Sequence, residues 1–96
     1  MSDSFFKAIA DGNRRKILDL LRKRGPLNAG ELHSHFQISP PALSEHLKVL
    51  REAGLIAARK DRQFIYYSLN TTVLEDLISW LKGHLDKNEV KSDETE

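Results

Sequence analysis

The sequence predicts a mainly helical domain with one β-hairpin, in the order α-α-α-α-β-β-α. Three observations lead there. Apolar residues recur at helical spacing in five segments, several of them opened by Asp, Asn or Ser, the residues that cap helix N-termini. One stretch, Ile56 to Leu69, is instead aromatic and β-branched around a charged tip. The chain has 96 residues, enough for a single domain that buries only about two-thirds of its unfolded surface.

Each element has a local reason. Residues 4–10 place Phe5, Phe6 and Ile9 at helical spacing. Asp11 then serves as N-cap of a second helix carrying Ile17, Leu18, Leu20 and Leu21, with Arg22, Lys23 and Arg24 at the negative end of its dipole. Gly25-Pro26 stops it. Asn28 caps the third helix, and Glu31 three residues later completes a capping-box pattern; Leu32 and Phe36, four apart, are its expected buried edge. After a turn at Gln37-Ile38, Ser39 caps the fourth helix. Pro40 occupies its first position, where a missing amide hydrogen costs nothing. Leu43, Leu47 and Leu50 line one face, and Gly54 ends it. Strands are expected at Ile56–Lys60 and Phe64–Leu69, with the tip near Asp61-Arg62. Asn70 or Thr72 caps a last helix running to about Leu85. Residues 1–86 are expected to form this domain, and 87–96 a disordered acidic tail without apolar periodicity.

Composition narrows the function. A hydrophobic share of 40% with 30% charged residues suits a soluble globular protein. No apolar run approaches the roughly 18 residues of a membrane span, and the N-terminus lacks a signal-peptide layout, so a cytoplasmic protein without membrane insertion is expected. With no cysteine, disulfides, thiolate metal sites and thiol switches are excluded. No nucleophile is paired with a base and no glycine loop is built to cradle phosphate, which argues against an enzyme. The net charge of +1 hides an asymmetry: residues 12–67 hold 11 Lys or Arg against 5 Asp or Glu, a net of +6. Local positive charge of that kind suits a polyanion, although it also suits a solvated surface.

The fourth helix and the hairpin give this charge a shape. With Leu43 inward, Leu47 and Leu50 fall within about 40° of it, while Pro41, Ser44, Glu45, Lys48, Arg51 and Glu52 gather opposite. A helix-turn-helix protein lays such a face into the major groove of DNA, with its N-terminal residues nearest the bases. Ser44 can donate or accept there, Pro41 and Ala42 can touch a thymine methyl, and Glu45 can accept from a cytosine amino group or pair with Lys48 or Arg51. Pro40 belongs to the same end. His46, nearer the apolar edge, is open between a packed side chain and a phosphate contact. Arg59, Lys60, Arg62 and Gln63 would make the hairpin a wing on phosphates or the minor groove; charged residues protecting a strand edge are the plainer reading.

The segments Ala8-Ile9-Ala10-Asp11 with Arg14-Arg15-Lys16-Ile17-Leu18-Asp19-Leu20-Leu21, Leu43-Ser44-Glu45-His46-Leu47-Lys48-Val49-Leu50 with Arg51-Glu52-Ala53-Gly54-Leu55-Ile56, and Tyr66-Tyr67-Ser68-Leu69 together resemble the ArsR/SmtB winged helix-turn-helix repressors over residues 4–85. Residues 63–74 are most similar to the small autorepressors of the sporulation-delaying-protein type. The resemblance implies a homodimer that blocks transcription at DNA operator sites, expected to be inverted repeats, and leaves on a signal; the sequence leaves that signal open among a small-molecule inducer, a sequestering protein or membrane partner, and autoregulation by concentration. Gly12 stands where the family often has proline.

The family's thiolate metal site would fall near Glu31-Leu32-His33-Ser34-His35, where there is no cysteine. His33 and His35 lie about 200° apart on a helix, too far round to share an ion. The last helix offers Glu75, Asp76, His84 and Asp86 without the family's spacing, so neither metal nor another cofactor is expected; a His/Asp metal sensor stays as an alternative. His84 suits a helix C-terminus instead. Val73, Leu74, Leu77, Ile78, Trp80, Leu81 and Leu85 form a stripe too broad for one small domain to cover, and Phe5, Phe6 and Ile9 form a second strip. Together they predict a two-fold dimer through the first and last helices. A protein-interaction module without a DNA role is the competing reading, and the basic middle of the chain argues against it.

Overall fold

A computed structural model describes residues 3–86. The acidic segment 87–96 lies outside the described residues. The elements are α1 (Asp3–Ile9), α2 (Gly12–Arg24), β1 (Leu27–Asn28), α3 (Ala29–His33), α4 (Pro40–Glu52), β2 (Ile56–Asp61), β3 (Phe64–Leu69) and α5 (Thr72–Leu85). The expected order holds, with one strand added.

The caps form as the sequence dictates. The Asp11 carboxylate accepts from the Arg14 amide at 3.1 Å, and the Ser39 hydroxyl from the Ala42 amide at 3.2 Å. Asn28 and Glu31 make a reciprocal box: the Glu31 amide donates to Asn28 Oδ1 at 2.8 Å and the Asn28 amide to Glu31 Oε1 at 2.9 Å. At the far end of α4 the Leu55 amide donates to the Leu50 carbonyl and the Gly54 amide to the Arg51 carbonyl, both at 3.0 Å, a Schellman closure. Gly54 takes the left-handed conformation this requires, with φ 77°. It also admits α5, since a Cβ there would lie 3.2 Å from Val73 Cγ2.

Four expectations change. The third helix ends at His33, so Phe36 is buried from the following turn and not from a helical edge. The last helix begins beyond Thr71, which occupies the cap position without a side-chain cap; Asn70 Oδ1 instead accepts from the Thr72 amide at 3.2 Å. The hairpin loop is Arg62-Gln63, because Asp61 still pairs with Phe64. Finally, β1 pairs antiparallel with β3, Leu27 opposite Tyr67 and Asn28 opposite Tyr66, so the hairpin grows into a three-stranded sheet of order β1-β3-β2.

The core joins every helix except α5 as a fully buried contributor: Phe5 and Ala8, Ile17 and Leu21, Leu32, then Leu43, Leu47 and Leu50, closed by Leu55 and Ile56. This single cluster fixes α4 on α2 and α3 and carries the sheet beside it. Phe5 therefore departs from its expected place in an exposed strip. It is 1% exposed and fills its own protomer's core, while its neighbour Phe6 stays outside and meets it edge-on.

Candidate nucleic-acid interface

The burial of Leu43, Leu47 and Leu50 decides where the rest of α4 points. Pro40, Pro41, Ser44, Glu45, Lys48, Arg51 and Glu52 are all exposed, and Ala42 is half-buried at the edge. The polar face drawn from 100° steps is thus the outer face of the helix. Its N-terminal end presents a small, mostly uncharged surface, and its second half adds the two cations. Between that second half and β2 runs an open groove of about 580 Å³, lined by Lys48, Arg51, Glu52, Ile56, Ala57 and Ala58.

Beyond the groove stands the hairpin. Arg59, Lys60, Arg62 and Gln63 are exposed at its distal end. Arg62 holds a positive φ of 61° in the two-residue loop. Tyr66 and Tyr67 fall on opposite faces, as strand alternation requires. Tyr67 packs on the core, and Tyr66 meets Phe64 edge-on with ring centroids 6.3 Å apart. Two apolar side chains at the tip, Phe64 and Ile65, were not among the expected contacts, yet each is nearly half exposed. Their alternation was visible; what was not is that neither face of the hairpin tip reaches the core.

His46 does not join the outer face. Its Nδ1 lies 3.2 Å from Arg14 Nη1 and 4.0 Å from Asp11 Oδ1, at the junction of α2 and α4. Its contacts place it as a packed side chain at that junction. The same junction depresses the Asp11 carboxyl below the usual carboxylate range, chiefly through the hydrogen bond from the Arg14 amide, which outweighs desolvation. His33 and His84 also have local partners: His33 Nε2 lies 2.7 Å from the Ile38 carbonyl oxygen, and His84 Nδ1 lies 2.9 Å from that of Trp80. Among the described residues, no three His, Asp or Glu side chains converge as a metal site would need.

The expected pairing residues divide by exposure. Ile9, Val73, Leu74 and Leu77 are half-buried against their own core. Phe6, Ile78, Trp80, Leu81 and Leu85 remain exposed, from 43% for Phe6 to 81% for Leu85. No residue of α5 is fully buried.

A helix-turn-helix with an exposed polar reading face, followed by a basic wing, defines a winged-helix DNA-binding regulator. Residues 11–58 match the model of the arsR family of bacterial regulatory proteins. The transcriptional repressor SdpR of Bacillus subtilis (strain 168) is 51% identical over 87 residues, 91% of this chain and 96% of that protein. An arsenical resistance operon repressor of Staphylococcus aureus is 43% identical over 75 residues, 78% of this chain and 71% of its own length. A crystal structure of an ArsR family transcriptional regulator superposes with a TM-score of 0.81 at 26% identity, covering 91% of this chain and 89% of that one. The chain belongs to the arsR family of bacterial regulatory proteins, a family of transcriptional regulators rather than enzymes. None of its described helices is long and apolar enough to cross a membrane.

Proposed function

We propose that the chain represses transcription as a homodimer on an inverted-repeat operator, including that of its own gene, and that its release from DNA does not use a cysteine-bound metal. The observation that carries this is the coexistence of two unlike surfaces on one small molecule. The outer face of α4 and the wing is polar and basic, while Phe6 on α1 and Ile78, Trp80, Leu81 and Leu85 on α5 leave large apolar side chains uncovered. Water covers the first cheaply and the second at a cost, so a second copy of the chain is the economical cover.

Two-fold pairing would set two α4 helices about 34 Å apart, one turn of B-DNA, and so require an inverted repeat. In this reading Pro40, Pro41, Ala42, Ser44 and Glu45 face bases, while Lys48, Arg51, Arg59, Lys60, Arg62 and Gln63 face phosphates and the minor groove. The absence of cysteine from the whole sequence removes the thiolate ligands a soft-metal sensor needs. A small molecule or a sequestering protein supplies the signal instead.

Selection of duplexes from random DNA by the purified protein tests this. An enriched inverted repeat with half-sites one turn apart, matched upstream of the gene, is the expected result. Enrichment of single half-sites, or none, would overturn the dimeric reading.

A further inference from the structure

The contacts of Arg14 do more than solvate α2. The last carbonyls of α1 lack i+4 helical partners, and that of Lys7 accepts only a turn bond from the Ala10 amide at 3.3 Å. Arg14 Nε donates to the Ala8 carbonyl at 2.7 Å and Nη2 to the Lys7 carbonyl at 3.0 Å, while Arg15 Nη1 donates to the Ile9 carbonyl at 2.8 Å. One edge of the Arg14 guanidinium is therefore spent on α1. Its remaining nitrogen, Nη1, lies 3.2 Å from His46 Nδ1, on α4. A guanidinium only donates. The contact therefore requires His46 to be neutral, with a lone pair on Nδ1 and its proton on Nε2.

We infer that Arg14 and His46 are a positioning pair that couples α1, and with it the apolar surface bearing Phe6, to the orientation of the DNA-reading helix. The position of His46 makes the coupling direct. It sits on α4 between Leu43 and Leu47, both buried, and beside the exposed Glu45. Movement of α1 shifts the guanidinium through the Lys7 and Ala8 carbonyls, and the guanidinium in turn holds the histidine. The charged groups facing Nδ1 are Arg14 of α2 and Asp11, the N-cap of that helix, while the Lys7 and Ala8 carbonyls of α1 go to the arginine fork.

This inference rests on the DNA-binding reading, and the test separates the two. The probe is the duplex that the wild-type protein enriches from random sequence, titrated against His46→Gln, His46→Leu, Arg14→Lys and the His46→Leu/Arg14→Lys double variant. All are first shown to fold by circular dichroism. His46→Gln keeps an acceptor and is expected to bind within about threefold of wild type. His46→Leu and Arg14→Lys are each expected to lose about tenfold, and the double variant no more than either, because both break the same chain from α1 through Arg14 to His46. Failure of wild type to enrich any duplex would overturn the DNA reading itself. An enriching wild type whose His46→Leu variant binds equally well, or whose double variant shows additive losses, would overturn the coupling alone. If His46→Leu does not fold, Arg14→Lys decides: binding equal to that of wild type and His46→Gln overturns the coupling.

Discussion

Arg62 is the residue at which stability and function separate. It holds φ 61° at the first position of a two-residue hairpin loop, where glycine is favoured. A residue with a Cβ in that conformation costs about 1 to 2 kcal/mol. Arg62→Gly is therefore expected to raise the unfolding free energy, by up to about 1 kcal/mol. It should also weaken DNA binding on every sequence alike, since a phosphate contact carries no base information. Urea denaturation and gel shifts on specific and random duplexes measure the two effects; binding left intact would remove Arg62 from the interface. Asp11 gives a second expectation. Its cap on the Arg14 amide is worth about 1 kcal/mol, so Asp11→Ala should lose about that much at pH 7. Because folding lowers the carboxyl's pKa, the unfolded chain binds the proton more readily. The contribution is thus complete above the usual carboxylate value of about 4 and fades as pH falls through the lower, folded value. The gap between wild type and Asp11→Ala should narrow in acid, and Asp11→Asn, which keeps a capping oxygen without the charge, should lack that acid dependence.

At the scale of elements, the proposed interface gives α4 the reading of bases and the wing the holding of phosphates. Ser44→Ala should lower affinity for the selected duplex by about 1 to 3 kcal/mol while leaving random DNA unaffected. Arg59→Ala should lower both and flatten the salt dependence. Equal losses on both duplexes for Ser44→Ala would move that residue from the bases to the backbone. The features that set these roles were legible in the sequence because they are local. Asp11, Asn28 with Glu31, and Ser39 with Pro40 each satisfy amides within three residues, and the Leu43, Leu47, Leu50 spacing needs no knowledge of the rest of the fold. What could not be read depends on distant partners. Leu27-Asn28 is a strand only because Tyr66 and Tyr67 lie opposite it. Phe36 is buried after its helix has ended, against a core assembled from other segments. His46 was ambiguous because its partners, Asp11 and Arg14, lie more than 30 positions away in the chain.

On the whole molecule, α5 sets the terms. It buries no residue completely, although Val73, Leu74 and Leu77 rest on the core. Ile78, Trp80, Leu81 and Leu85 continue the stripe outward. A helix stabilised mostly by tertiary packing needs a partner for such a face. Substituting Ile78 and Leu81 with glutamate leaves the protomer core untouched, since both side chains are already substantially exposed. The double variant is expected to sediment as a folded monomer of 11.0 kDa where wild type sediments at twice that mass. Its DNA binding should change in a particular way. Affinity falls with salt in proportion to the number of phosphates contacted. A monomer with one α4 and one wing makes half the contacts of a dimer, so the slope of log affinity against log salt should drop to about half. A two-fold reader held together at α1 and α5 requires both results at once. Weaker binding with an unchanged slope would mean that this apolar surface serves some purpose other than joining two DNA readers.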